Sequence, residues 1–337
     1  MDKYKLLFSV TLIVLIIFFI PAFFSTSQSH SINTSIKNQK NYSWNLEAIN
    51  LASSWDITRG NNATVAIIGY GIDAKNKYVK DHITDSWNFV NDSEKVIDEN
   101  GHDTFAAGIV LSIAPEASLI NIKVFEGTRE VGKIDEAIDY AASRGADIIL
   151  MPITVLDPPP TPEYVDRAQA SIIKAYSRGV KFVVGAQGRG NSLSHRFPGY
   201  LEGVYNIAGV DENNYHSINS TANDLSFVSA PCENIEGIDT KGDWQNTGGT
   251  SWSSAHLAGI VALMVSANPL LERKDIKEIL VSNAIDLGPE GKDIYYGWGL
   301  ADCYNSVKAS RDILVYKVFQ PYYIKGFNYS LSFNKLY

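Results

Sequence analysis

The sequence predicts an α/β fold with a mostly parallel sheet covered by helices on both faces, and three observations carry that prediction. Short runs such as Val65-Ala66-Ile67-Ile68 are apolar without polar alternation, as a parallel strand buried on both faces requires. Other segments are apolar at helical spacing: Ile134, Ala137, Ile138 and Ala141 recur at i, i+3, i+4 and i+7, and Gly145 supplies the stop. The two kinds of segment alternate along the chain, which is the signature of βαβ units.

Taken in order, the chain opens with Lys3 and Lys5 before an apolar run from Leu6 to Phe24, interrupted by Ser9, Thr11 and Pro21. Residues 1–27 read as a signal peptide or a signal anchor, with Ser25 and Ser27 as a weak cleavage site. An exported protein is expected, either released or held at the cell surface by a membrane tether through residues 6–24. Residues 28–43 are a polar linker rich in Ser, Asn and Gln. The domain is expected over 44–311. Its strand candidates are 65–69, 119–124, 147–151, 180–185 and 204–208, with helical patterns at 102–112, 133–145, 163–178, 252–267 and 274–283. In the last segment, 312–337, Phe327, Tyr329, Leu331 and Phe333 alternate with polar residues, and Lys325-Gly326 offers a turn. A terminal β-hairpin is expected there, against the alternative of an aromatic surface for a partner.

Composition narrows the function. A chain of 337 residues with 45% hydrophobic content has ample core material, and a formal charge of -8 without a basic run excludes a nucleic-acid surface. Cys232 and Cys303 cannot make a disulfide framework; one bridge or two partly buried thiols are the readings open. Sequons at Asn33, Asn41, Asn62, Asn91, Asn219 and Asn328 matter only in a glycosylating host.

Three segments carry chemistry when taken together. TVAIIGYGID, 64–73, is a strand running into a glycine turn. GHDTFAAG, 101–108, opens a small-residue helix with His102. GGTSWSSAH, 248–256, leads an apolar helix with Ser251. A serine at a helix start is ordinarily a cap and a single histidine there is ordinarily structural. In this order and with these flanks, the chain resembles the subtilisin-like serine peptidases, the subtilase (peptidase S8) family, over about residues 44–310. GTSWSSAH is similar to the family's GTSMASPH and puts the nucleophile at Ser251. GHDTFAAG is similar to HGTHVAG and puts the base at His102. WDITRG, APEASLINIKV and YYGWGLADCYNSV are further family-like stretches. The resemblance implies a three-layer sandwich with a mostly parallel central sheet, a peptide or protein substrate, and no cofactor.

The chain departs from the family pattern at three places. The family's VAVIDTGID would put the triad aspartate where this chain has Gly69. Asp73 lies four residues on, roughly 10 Å or more along an extended chain. Asp103 adjoins His102, but neighbouring residues rarely aim a carboxylate at the ring's Nδ1, and its ordinary role is favourable charge at a helix N-terminus. Neither reads as a replacement. The oxyanion asparagine position falls on Arg189 in an ungapped alignment, or on Asn191 if two residues are inserted. MPITV, 151–155, stands where the family pairs a strand with the substrate, and Pro152 has no N–H to donate. There is also no room for a calcium loop between Gly108 and Ala114 or for a propeptide before Trp44, so no metal is expected.

In a member of this same family, loss of the aspartate alone costs about 3 × 10⁴ in turnover, and loss of the oxyanion asparagine about 10²–10³. The favoured expectation is therefore a catalytically impaired, exported homologue that binds peptide or protein in a remnant cleft. The alternative is an active extracellular endopeptidase using a Ser251–His102 dyad, and a third reading is esterase-type chemistry at Ser251.

Overall fold

The computed structural model describes residues 43–319, apart from 156–158, 189 and 191–192. In chain order the elements are α1 (Trp44–Ala48), β1 (Thr64–Gly69), β2 (Ile83–Asn88), α2 (His102–Ile113), β3 (Ser118–Lys123), β4 (Phe125–Glu126), β5 (Arg129–Glu130), α3 (Ile134–Ser143) and β6 (Ile148–Met151). There follow α4 (Pro162–Ser177), β7 (Phe182–Ala186), β8 (Val204–Val210), β9 (Ser226–Pro231), β10 (Ile235–Ile238), β11 (Trp244–Thr247), α5 (Thr250–Ala267), α6 (Arg273–Asn283) and α7 (Cys303–Phe319).

Seven strands form one sheet in the order β2-β3-β1-β6-β7-β8-β9, and every pairing in it is parallel. Period-two alternation sends successive side chains of each strand to opposite faces. Val65 and Ile67 of β1 enter one core with α2, α5, α6 and α7. Ala66 and Ile68 enter the other with α3 and α4. The result is the expected three-layer sandwich with helices on both faces.

The five predicted strands are present, each displaced by no more than two residues at either end. β2 and β9 close the two edges of the sheet and were not foreseen. ITDSWN in β2 is polar and half exposed, and SFVSAP in β9 is broken by serine and proline although it is buried throughout. Neither carries the apolar run that marks a central strand. The tail expectation needs correction. Helix α7 continues to Phe319, so the first residues of the 312–337 segment are helical rather than extended. The aromatic alternation from Phe327 onward lies outside the described residues, as does the whole 1–27 segment. Among the described residues no helix is long and apolar enough to cross a membrane. Both cysteines are free and buried, and burial pushes Cys232 to about 11 and Cys303 to about 12, so they are unreactive thiols at neutral pH.

Helix α5 is apolar all round because it is enclosed all round. Every residue from Trp252 to Val265 is buried, against α2, α7 and strands β6 to β9. Its N-terminus emerges beside the carboxyl ends of β1 and β6. That is where an open α/β sheet presents functional side chains.

Candidate active site

The turn after β1 is fixed by side chains from neighbouring elements. Asn121 of β3 is fully buried; its Oδ1 accepts from the Ile72 N–H at 2.7 Å and its Nδ2 donates to the Ile72 carbonyl at 3.0 Å. Thr104 Oγ1 accepts from the Asp73 N–H at 2.9 Å. Gly71 adopts φ +93°, a left-handed conformation that suits glycine. With the turn held in this way, the Gly71 N–H points at the first turn of α2, where it donates to Asp103 Oδ2 at 3.0 Å.

Asp103 is the centre of the site. It is completely buried, and its second oxygen, Oδ1, lies 2.8 Å from His102 Nδ1. A carboxylate only accepts, so Nδ1 carries the imidazole proton and Nε2 presents a lone pair. Nε2 in turn lies 3.1 Å from Ser251 Oγ. The imidazole is packed between Tyr70, edge-on at 5.3 Å between ring centroids, and Trp252 at 5.0 Å. Burial and the charge of Asp103 raise the Tyr70 hydroxyl above its ordinary range, which keeps that wall neutral.

This geometry corrects the expectation that no negative group stands behind His102. Gly69 indeed lacks a side chain, and the carboxylate fills the space that one would occupy: a Cβ built on Gly69 would stand 2.5 Å from Asp103 Oδ2 and 2.9 Å from Oδ1. The Asp103 carboxylate thus occupies the space beside the end of β1 that a side chain at position 69 would fill, and reaches it from the start of α2. Asp73 is not involved; its carboxylate accepts from the Lys75 N–H at 3.0 Å in the following turn. The missed signal was in the motifs already quoted. The family's HGTHVAG has glycine after the histidine where this chain has Asp103, and its aspartate position is glycine here, so the two residue types are exchanged.

Ser251 is the second residue of α5. Its hydroxyl has one hydrogen and two acceptors, His102 Nε2 and the Pro152 carbonyl at 2.7 Å. Its N–H lies in the first helical turn, where backbone donors have no carbonyl one turn back. Thr250 beside it is tied to the strand β7 exit, with Oγ1 accepting from the Gly188 N–H at 3.0 Å. Pro152, Ile153 and Thr154 line a pocket of about 270 Å³ that opens onto Ser251 and His102. The oxyanion position assigned to Arg189 or Asn191 lies outside the described residues.

The far side of α5 is braced by a second histidine. His256 is wholly buried; its Nδ1–H donates to the Trp252 carbonyl at 2.7 Å and Nε2 accepts from Asn45 Nδ2 at 2.8 Å. Burial lowers it from 6.5 to about 4. The folded state therefore binds this proton more weakly than the unfolded chain. The stabilisation is complete above the unfolded value and is lost as pH falls from about 6.5 to about 4, amounting to about 3 kcal/mol. Denaturant midpoints measured across that window should fall with acid, and His256→Gln should flatten the slope there.

A buried carboxylate, an imidazole and a hydroxyl in line, at the carboxyl edge of a parallel sheet, have the arrangement of a serine-hydrolase triad. Comparison with known proteins gives the family: residues 60–299 match the subtilase family model, Peptidase_S8, and the chain belongs to that family. It is 31% identical to subtilisin DY of Bacillus licheniformis over 257 residues, covering 72% of this chain and 89% of that protein. Thermitase of Thermoactinomyces vulgaris is 25% identical over 78% of this chain and 94% of its own length. The minor extracellular protease Epr of Bacillus subtilis (strain 168) is 28% identical over 76% of this chain, which spans only 40% of that relative. Among solved structures, a lanthipeptide protease superposes with a TM-score of 0.72 at 22% identity, covering 82% of this chain and 96% of its own. MycP1 without its propeptide gives 0.70 at 20% identity, over 79% and 98%.

Proposed function

We propose that the protein is an exported serine endopeptidase in which Ser251 is the nucleophile, His102 the general base and Asp103 the carboxylate that orients and charges-balances the imidazole. The observation that carries this reading is the line from Asp103 Oδ1 through His102 to Ser251 Oγ, at 2.8 and 3.1 Å. The impaired-homologue reading rested on an imidazole without an anion behind it, and Asp103 removes that premise. Export is supported by the apolar Leu6–Phe24 run and by the extracellular relative Epr.

In this mechanism the Ser251 hydroxyl turns from the Pro152 carbonyl to His102 Nε2 and gives up its proton as Oγ attacks the scissile carbonyl. The imidazolium that forms is stabilised by Asp103, which stays ionised. The negative oxygen of the tetrahedral intermediate accepts from the Ser251 N–H. His102 then returns the proton to the departing amine, and water, deprotonated by the same nitrogen, releases the acyl group.

A fluorophosphonate probe tests this directly. The purified protein should be labelled on Ser251, labelling should vanish in Ser251→Ala and His102→Ala, and casein or a peptide mixture should be cleaved in step. Folded protein that resists both probe and substrate would overturn the reading.

A further inference from the structure

The pocket beside Ser251 carries a charge that the catalytic chemistry does not use. Arg196 lines it together with Ile153, Thr154 and Gly188, and it is the one fixed charge among the described residues of that lining. Its guanidinium has no ion pair with any described carboxylate. The neighbouring His195 has such a partner, Asp224, with Nε2 to Oδ1 at 2.7 Å. Asp103 is buried behind His102 and already accepts from that ring and from Gly71.

The backbone holds Arg196 where it is. Phe197, buried at 2% exposure, forms an isolated bridge with Val155, whose N–H donates to the Phe197 carbonyl at 2.8 Å. That bridge sets Arg196 and Thr154, the residues just before each partner, on the same wall. The Arg196 carbonyl also accepts from the Tyr200 N–H at 3.0 Å. Its aliphatic stem lies across Gly188: a Cβ there would come within 3.1 Å of Arg196 Cγ and 3.5 Å of Thr154 Cγ2. Gly188 is at φ +101°, so a side chain is disfavoured by backbone as well as by space. Through its N–H to Thr250, the same glycine is tied to the residue preceding the nucleophile.

The acyl residue of a bound peptide has its carbonyl carbon at Ser251 Oγ, so its side chain enters the space contiguous with that oxygen, which is this pocket. We propose that Arg196 makes the pocket select an acidic side chain, Glu or Asp, on the residue that supplies the scissile carbonyl. This rests on the peptidase reading above and adds its substrate class. A guanidinium offers two parallel N–H donors to a carboxylate, and an arginine without a partner is strengthened by one that a substrate brings. An apolar acyl side chain would instead desolvate the guanidinium without compensation.

The test uses matched peptides that differ only in the acyl residue, Glu, Gln, Leu or Lys. The ratio of kcat/KM for Glu over Gln should be about 10- to 100-fold. Arg196→Gln should reduce it to near one, and Arg196→Glu should turn the preference to Lys, with thermal unfolding showing that both variants fold. A Glu over Gln ratio near one in the parent enzyme, or one unaltered by Arg196→Gln, would overturn the inference while leaving the peptidase reading intact. Binding of the Glu and Gln peptides to Ser251→Ala gives a readout without turnover. Tighter Glu binding that depends on Arg196, in a protein that cleaves nothing, would uphold the subsite and reject the peptidase. Equal binding of the two peptides would reject the subsite.

Discussion

Replacing Asp103 with asparagine should lower kcat for peptide hydrolysis by about 10⁴, with little change in KM and with the fold retained. The magnitude is the one measured when the triad carboxylate is neutralised or removed in serine proteases, including a member of this family. The reason is local. The amide oxygen of the replacement can still accept from the Gly71 N–H, as Oδ2 does now at 3.0 Å. Its NH₂ then faces His102 Nδ1, which must become the acceptor, so the ring proton moves to Nε2 and the nitrogen that faces Ser251 can no longer take a proton. Unfolding midpoints and the rate of Ser251 labelling separate this from simple loss of structure: the first should hold and the second should collapse. Activity within tenfold of the parent would mean that His102 works without Asp103.

The second large effect comes from the other end of the exchange. Gly69→Asp, which restores the family residue, should inactivate the protein and destabilise it by about 3 kcal/mol or more, since two buried carboxylates would share one site. A Cβ at position 69 already meets Asp103 Oδ2 at 2.5 Å, so Gly69→Ala should also push the carboxylate off His102. The double variant Gly69→Asp with Asp103→Gly should recover both stability and turnover, because it brings one carboxylate to the same place from the end of β1 instead of the start of α2. Stability from thermal unfolding and kcat/KM on one peptide would be read for the parent, Gly69→Asp, Asp103→Gly and the double variant. Recovery in the double variant requires strong coupling between the sites; additive losses would show that Asp103 and position 69 serve different functions.

Much of this architecture can be read from residue patterns. The central strands announce themselves because burial on both faces demands uninterrupted apolar runs, as in Val65 to Ile68. The edges do not: β2 needs only one buried neighbour, and β9 carries serines among its buried residues, of which Ser226 bonds through Oγ to the Asn223 and Ile294 carbonyls. Ser251 and His102 were legible through their motifs, and the structure brings them together. The partner of His102 was not, because sequence adjacency says little about where two side chains point. On a helix, successive residues diverge by about 100°. The contact forms because both residues sit at the very start of α2, after Gly101 at φ +82°, with the Gly71 N–H drawing the carboxylate toward the end of β1. Position by position, Gly69 looks like a deletion and Asp103 like a helix charge. Only as a pair do they describe one displaced group.

Enclosure of α5 on every side has a kinetic corollary. A hydroxyl mounted on a fully packed central helix cannot wander by fraying or by loop motion, so amide hydrogens from Ala255 to Val265 should exchange only when the whole domain opens. Thermal inactivation and global denaturation would then run on a single clock.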